Sequence, residues 1–312
     1  MNLLLMCLLL VACTGKQQQE NSTANETIVE PSSKPADMPV AELVLDAQAK
    51  LGEGAIWHPE LEKFFWIDIE GQKLHAFDPA TSTDREYEMG QRIGTVVPMQ
   101  SGNVAVALQD GIYTVDLETG ELALFSNPLE GQENIRFNDG KCSPEGRFWV
   151  GSMALNGGKH AAALYRVEPD GTYQQMVDSV TISNGIVWSL DGSKMYYIDT
   201  PTRKLTVYDY DQATGDIGNP RVGVEFPEDT GSPDGMAIDA EGMVWVGMWG
   251  GSAVTRWNPE TGEYLGKIAV PAKNVTACAF GGDNLETLYI TTASVGTSEE
   301  EKEKFPQAGG VF

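Results

Sequence analysis

Six oxygen-bearing side chains recur in one phase along this chain. They are Glu53, Thr95, Asn138, Asn184, Asp234 and Thr276, separated by 42, 43, 46, 50 and 42 residues. Each sits in a short motif of similar form: Gly52-Glu53-Gly54-Ala55, Gly94-Thr95-Val96-Val97, Phe137-Asn138-Asp139-Gly140, Ser183-Asn184-Gly185-Ile186, Pro233-Asp234-Gly235-Met236 and Val275-Thr276-Ala277-Cys278. One Asn-Gly or Asp-Gly pair is an ordinary turn signal. A shared phase over six repeats instead puts equivalent residues at equivalent points of equivalent elements. Four of them stand just before a glycine or one residue short of it, which lets backbone or ligand approach closely.

Two carboxylates and two carboxamides brought together would repel one another or stay unsatisfied unless something neutralises them. A divalent cation does so directly. An all-oxygen set suits Ca²⁺, Mg²⁺ or Mn²⁺ better than a thiolate-rich zinc site. Three or four protein ligands leave positions open for water or substrate, as a catalytic ion needs. Competing chemistries find no support. There is no Gly-x-Ser-x-Gly elbow, no Cys/His pair placed for attack, and no glycine-rich phosphate cradle opening a helix. His58, His75 and His160 show no metal-ligand spacing and read as surface or strand-edge residues.

The elements that must position these residues are short strands. A second strand follows each motif: Phe64-Phe65-Trp66-Ile67-Asp68, Asn103-Val104-Ala105-Val106-Ala107, Arg147-Phe148-Trp149-Val150-Gly151, Lys194-Met195-Tyr196-Tyr197-Ile198, Met243-Val244-Trp245-Val246-Gly247 and Thr287-Leu288-Tyr289-Ile290-Thr291. Aromatic and β-branched residues dominate, as a buried pleated surface requires. Third strands then end in turn sequences such as Val115-Asp116-Leu117-Glu118-Thr119-Gly120 and Trp257-Asn258-Pro259-Glu260-Thr261-Gly262. Six such units predict an all-β fold, a six-bladed β-propeller of four-stranded antiparallel blades. The innermost strands would line the central channel, and the six phased residues would form a ring around it. Ala41–Leu45 is expected to close the ring as the outer strand of the last blade. The chain stops at Phe312, inside that blade's third strand, so the last blade reads as short or truncated.

The formal net charge of −24 and pI near 4.3 disfavour nucleic acid and anionic lipid as partners. Leu3–Ala12 is apolar but too short to span a bilayer, and it ends in Leu10-Val11-Ala12-Cys13. Residues 1–13 therefore read as a signal peptide with a lipobox, Cys13 being lipidated, although no Lys or Arg precedes the apolar run. Residues 14–40, rich in Gln, Asn, Ser, Thr, Glu and Pro, read as a disordered tether. Residues 41–312 form the propeller. The expectation is an exported bacterial lipoprotein on the periplasmic or cell-surface side, a monomer touching membrane only through its lipid. The alternative is secretion after signal cleavage. Cys142 and Cys278 fall in separate blades and are expected as buried free thiols.

At these motifs the chain resembles the family of senescence marker protein 30 (regucalcin), gluconolactonase and related sugar lactonases. The matching segments are Leu51-Gly52-Glu53-Gly54-Ala55-Ile56-Trp57, Arg136-Phe137-Asn138-Asp139-Gly140-Lys141, Ser183-Asn184-Gly185 with Trp188-Ser189, Pro233-Asp234-Gly235-Met236 with Asp239, and Phe280-Gly281-Gly282 with Ala308-Gly309-Gly310. The resemblance implies a six-bladed propeller, a metal held by Glu53, Asn184 and Asp234, and substrate positioning by Arg136 and Asn138. A glutamate that contacts sugar hydroxyls in animal members falls at Asn156, beside a shorter loop at Gly157-Gly158-Lys159, which puts the particular sugar in doubt. The implied cofactor is one divalent ion, Ca²⁺ first, with Mg²⁺, Mn²⁺ or Zn²⁺ as alternatives. The implied reaction is hydrolysis of a small-molecule sugar lactone, an aldonolactone such as gluconolactone, to the aldonic acid. The ion would polarise the lactone carbonyl or the attacking water, with Asp234 as general base. Two other readings are a propeller hydrolase of other esters or phosphotriesters, and a non-enzymatic calcium-binding propeller.

Overall fold

Burial follows strand position within each repeat. The second strand Lys63–Asp68 is buried along nearly its whole length, whereas the fourth, Thr83–Glu88, buries only Tyr87 fully. A continuous apolar run bounded by turns is what a strand covered on both faces requires. The polar fourth strand suits the outer edge of a blade, where unpaired backbone faces solvent.

The computed structural model describes residues 39–312. The first four-stranded antiparallel sheet comprises β1 (Gly52–His58), β2 (Lys63–Asp68), β3 (Lys73–Asp78) and β4 (Thr83–Glu88). The second comprises β5 (Ile93–Pro98), β6 (Val104–Leu108), β7 (Gly111–Val115) and β8 (Leu122–Ser126). The third is β9 (Ile135–Cys142), β10 (Phe148–Ala154), β11 (Ala162–Val167) and β12 (Tyr173–Val180). The fourth is β13 (Ser183–Trp188), β14 (Lys194–Asp199), β15 (Lys204–Asp211) and β16 (Asp216–Glu225). The fifth is β17 (Ser232–Ile238), β18 (Val244–Trp249), β19 (Ala253–Trp257) and β20 (Tyr264–Ala269). Only β21 (Asn274–Gly281) and β22 (Thr287–Ala293) follow as a sheet. The fold is a β-propeller.

The expectation of six four-stranded blades is corrected to five. After β22 the chain enters a loop carrying the short helix α1 (Glu299–Lys304), capped by Ser298, and no third full strand follows among the described residues. Single bridges stand in its place. Val311 pairs with Thr291 on β22, and Leu45 pairs with Val311. The segment before β1 thus does extend the last repeat, but through one residue, while Val40 bridges to Ala269 on β20. β21 still joins its neighbours, Thr276 Oγ1 donating to the Gly52 carbonyl of β1 at 2.5 Å. Among the described residues, pairing starts at Pro39, whose carbonyl accepts from Ala269 N. The expected signal peptide, Cys13 and residues 14–38 of the tether lie outside the described residues. No helix among the described residues is long and apolar enough to cross a membrane.

One irregularity recurs on the inner strands. Against their second strands, β1 slips between Glu53 and Ile56, β9 between Phe137 and Gly140, and β13 between Ser183 and Ile186. β17 does the same between Pro233 and Met236, and β21 between Val275 and Cys278. In each case two residues oppose one, a β-bulge, which twists the strand and re-aims a side chain. The glycines serve the same crowding. A Cβ on Gly185 would lie 2.7 Å from the Asp234 carbonyl oxygen, and one on Gly235 would lie 2.7 Å from the Ala277 Cβ. We expect Gly185→Ala to cost about 1–3 kcal/mol by forcing β13 and β17 apart. A lowered urea midpoint would show it, and an unchanged midpoint would mean these strands separate freely.

Two expectations about individual residues change. His58 and His75 are buried, at 1% and 4% exposure, rather than lying at the surface. Only His160 is exposed. Cys142 and Cys278 are both free, but Cys142 is only partly buried.

Candidate active site

The bulges bring residues from four blades to one end of the channel. Arg136 Nη1 donates to Asn138 Oδ1 at 2.8 Å and to its neighbour's carbonyl, Phe137 O, at 2.8 Å. Asn138 Nδ2 in turn donates to Asn184 Oδ1 at 3.0 Å and to Ser183 O at 2.7 Å. Asn184 Nδ2 donates to Thr200 Oγ1 at 2.7 Å, and that hydroxyl donates to Pro233 O at 2.7 Å. One chain of hydrogen bonds therefore runs from β9 through β13 to the residue before Asp234. Every amide hydrogen bond in it fixes which oxygen faces the channel.

The Glu53 and Asp234 carboxyl groups are close enough to shift each other's titration, and both residues are buried, at 7% and 6% exposure. Burial raises both carboxyls above the ordinary range. The Asp139 carboxyl lifts each further, and Glu53 lifts Asp234. Two like charges this close cannot both ionise cheaply without a cation. Arg136 faces the pair. Burial pulls its guanidinium down to about 10, with the Glu53 carboxyl opposing, so it stays charged at neutral pH.

Of the six phased residues, the structure brings Glu53, Asn138, Asn184 and Asp234 into this cluster. The two threonines do different work. Thr95 Oγ1 donates to the Gly140 carbonyl and Thr276 Oγ1 to that of Gly52, each stitching one inner strand to the next. Asn156 is not drawn in. It is exposed in the loop after β10, its Oδ1 accepting from Gly158 N at 3.0 Å.

Two further buried titratable groups beside the cluster fall outside the shared phase. Asp139 follows Asn138 within the same bulge, its carboxyl raised by burial against the pull of Lys141. Lys141 Nζ reaches across the channel to Met236 O at 2.9 Å, its own ammonium lowered by burial. Both stand in the Arg136–Lys141 motif. Strict alternation would have turned Asp139 away from Asn138, and only the bulge brings the two together. Beyond Lys141 the inner strands end in an apolar depression of about 440 Å³, lined by Ile56, Trp57, Cys142, Trp188, Ile238 and Phe280.

The donor set fits a hard divalent cation. Glu53, Asp234 and Asn184 offer carboxyl and carboxamide oxygens, and the raised carboxyl pair is the group such an ion would stabilise in ionised form. The sequence profile of the SMP-30/Gluconolactonase/LRE-like region matches residues 51–294. The chain belongs to that family. A Bacillus subtilis protein named "Putative sugar lactone lactonase YvrE" is 40% identical over 272 residues, covering 87% of this chain and 93% of that one. Regucalcin from Xenopus laevis is 35% identical over 276 residues, 87% of this chain and 92% of its own. Among solved structures, the calcium-binding protein regucalcin from Agrobacterium tumefaciens superposes with a TM-score of 0.84 at 27% identity, covering 88% of this chain and 93% of that one. A gluconolactonase from Xanthomonas campestris shares the fold, with a TM-score of 0.70 at 21% identity over 84% of this chain and 96% of its own.

Proposed function

We propose that this protein hydrolyses a sugar lactone, an aldonolactone such as gluconolactone, with one divalent cation bound by Glu53, Asn184 and Asp234. The observation that carries this reading is the buried Glu53–Asp234 carboxyl pair beside an ordered amide pair and a charged guanidinium. The names of the relatives, lactonase and gluconolactonase among them, supply the reaction class. The ion, Ca²⁺ before Mg²⁺, Mn²⁺ or Zn²⁺, would supply Lewis-acid polarisation of the lactone carbonyl.

The chain's own groups do the rest. Asp234 takes the proton from the attacking water. Arg136 spends Nη1 on Phe137 and Asn138, which leaves the rest of its fork to hold ring hydroxyls or the developing oxyanion. Asn138 has its amide committed to Arg136, Ser183 and Asn184. In this reading it aims those neighbours rather than gripping sugar itself. Asn156 would meet substrate only at the rim. Residence as a monomer and export with a lipid on Cys13 belong to the same proposal and rest on the sequence.

The test is a substrate panel on the purified chain: gluconolactone, galactonolactone, xylonolactone and arabinolactone beside an aryl ester and a phosphotriester, each with chelator and with single metals. Metal-restored turnover of the aldonolactones is expected. Preference for the aryl ester or phosphotriester would move the assignment to another hydrolase class, and metal binding without turnover would leave a binding propeller. Arg136→Lys keeps a charge but loses the planar fork, and kcat/KM for a hydroxylated lactone should fall about 10–100-fold. An undiminished kcat/KM would remove Arg136 from substrate positioning.

A further inference from the structure

A second cluster of ligand-type side chains lies on the outer half of the first blade, away from the channel. Trp66, His75 and Glu86 are neighbours in one row across β2, β3 and β4, each paired with the next in register. Asp84 is two residues from Glu86 on the same strand and so shares its face. One ligand-type atom from each of His75, Asp84 and Glu86 lies within 4.8 Å of the others.

Two of the three are largely shielded from solvent. The His75 and Asp84 side chains are only 5% and 11% exposed. Asp84 Oδ2 contacts His75 Nδ1 at 2.6 Å, but Asp84 Oδ1 is buried with no hydrogen-bond partner. A buried, unpaired carboxylate oxygen is costly. His75 is held in place by stacking on Trp66, with ring centroids 3.7 Å apart, so its orientation needs no ligand to set it. Beside the cluster opens a depression of about 280 Å³ that His75, Glu86 and Lys73 help to line, giving an ion a way in. Lys73 occupies Glu86 through an ion pair, yet it has a second partner, Glu88, at 3.6 Å, so a cation can displace it without leaving its ammonium unpaired. The nearby Asp68 carboxyl is not available, since backbone N–H groups of Lys50, Leu51 and Gly71 already take both its oxygens.

We propose that His75, Asp84 and Glu86 form a second cation site, selective for a borderline first-row ion such as Zn²⁺ or Co²⁺. One imidazole nitrogen and two carboxylates differ from the all-oxygen set in the channel, and imidazole favours such ions over Ca²⁺. Three protein ligands on a blade's outer strands leave positions for water. The site is independent of the lactonase reading and stands or falls without it.

The probe is Co²⁺ alone, added to the full chain with Asp234 replaced by Asn so that the channel site is weakened. Visible d–d absorption from an imidazole-bound ion should saturate at about one equivalent and be erased by Zn²⁺. Glu86→Gln, at an exposed position that does not threaten the fold, should weaken this binding about tenfold or more. His75→Gln, checked for native circular dichroism, should abolish the absorption. Lactone turnover in the otherwise native chain should be unchanged by Glu86→Gln. Unaltered Co²⁺ affinity and spectrum in both Glu86→Gln and His75→Gln would overturn the site, as would failure of the parent to show any imidazole-bound absorption; the trio would then be a structural His–Asp pair only.

Discussion

Asp234→Asn should lose about 10²–10⁴-fold in kcat on an aldonolactone while keeping its melting profile, because the general base is gone and the volume is not. Asparagine keeps a carbonyl oxygen for an ion but cannot accept the proton of water. The loss should therefore persist when metal is raised until occupancy is complete, which separates proton transfer from metal affinity. Folding should survive for a physical reason. Asp234 is a buried carboxyl held above the ordinary range by burial and by Glu53, so a neutral amide relieves the repulsion. A variant within a few-fold of the parent at saturating metal would mean that another carboxyl, Glu53 or Asp139, takes the proton.

The second large effect is on stability. Glu53 and Asp234 both have folded-state carboxyls raised above their ordinary values. Such groups favour the fold while protonated, so their contribution is fully present below the ordinary carboxylate range and is lost as pH rises through the raised folded values. A tenfold difference in proton affinity between the folded and unfolded chain is worth about 1.4 kcal/mol, so the chelated protein should lose on the order of several kcal/mol between acid and neutral pH. Adding the cation should reverse the trend, since it stabilises the ionised pair, and binding should release protons into a weakly buffered solution. Unfolding midpoints with and without chelator across that range read this directly. Parallel curves would mean that no ion meets the pair.

How much of the molecule is legible in its sequence divides along physical lines. The phase of Glu53, Asn138, Asn184 and Asp234 can be read because a propeller repeats its inner strand, and equivalent positions on equivalent strands meet at the channel. Thr95 and Thr276 obey the same phase yet spend their hydroxyls on neighbouring carbonyls, a distinction that depends on rotamer and interstrand distance rather than on residue type. Asp139 is hidden by the bulge that breaks alternation. The burial of His58 and His75 is hidden because a polar residue on a β-strand reads as an edge, whereas here the surrounding structure covers it. The shortness of the last repeat is legible in the sequence, whereas the bridging of Val311 to Thr291 and Leu45 after the α1 loop depends on tertiary path.

The most direct test of the channel site is anomalous diffraction from crystals of the full chain grown with Mn²⁺. Density is expected at the polar mouth of the channel, ~2.0–2.6 Å from oxygens of Glu53, Asn184 and Asp234 together. Catalytically active crystals with no density there, or with an ion touching none of those three side chains, would contradict it.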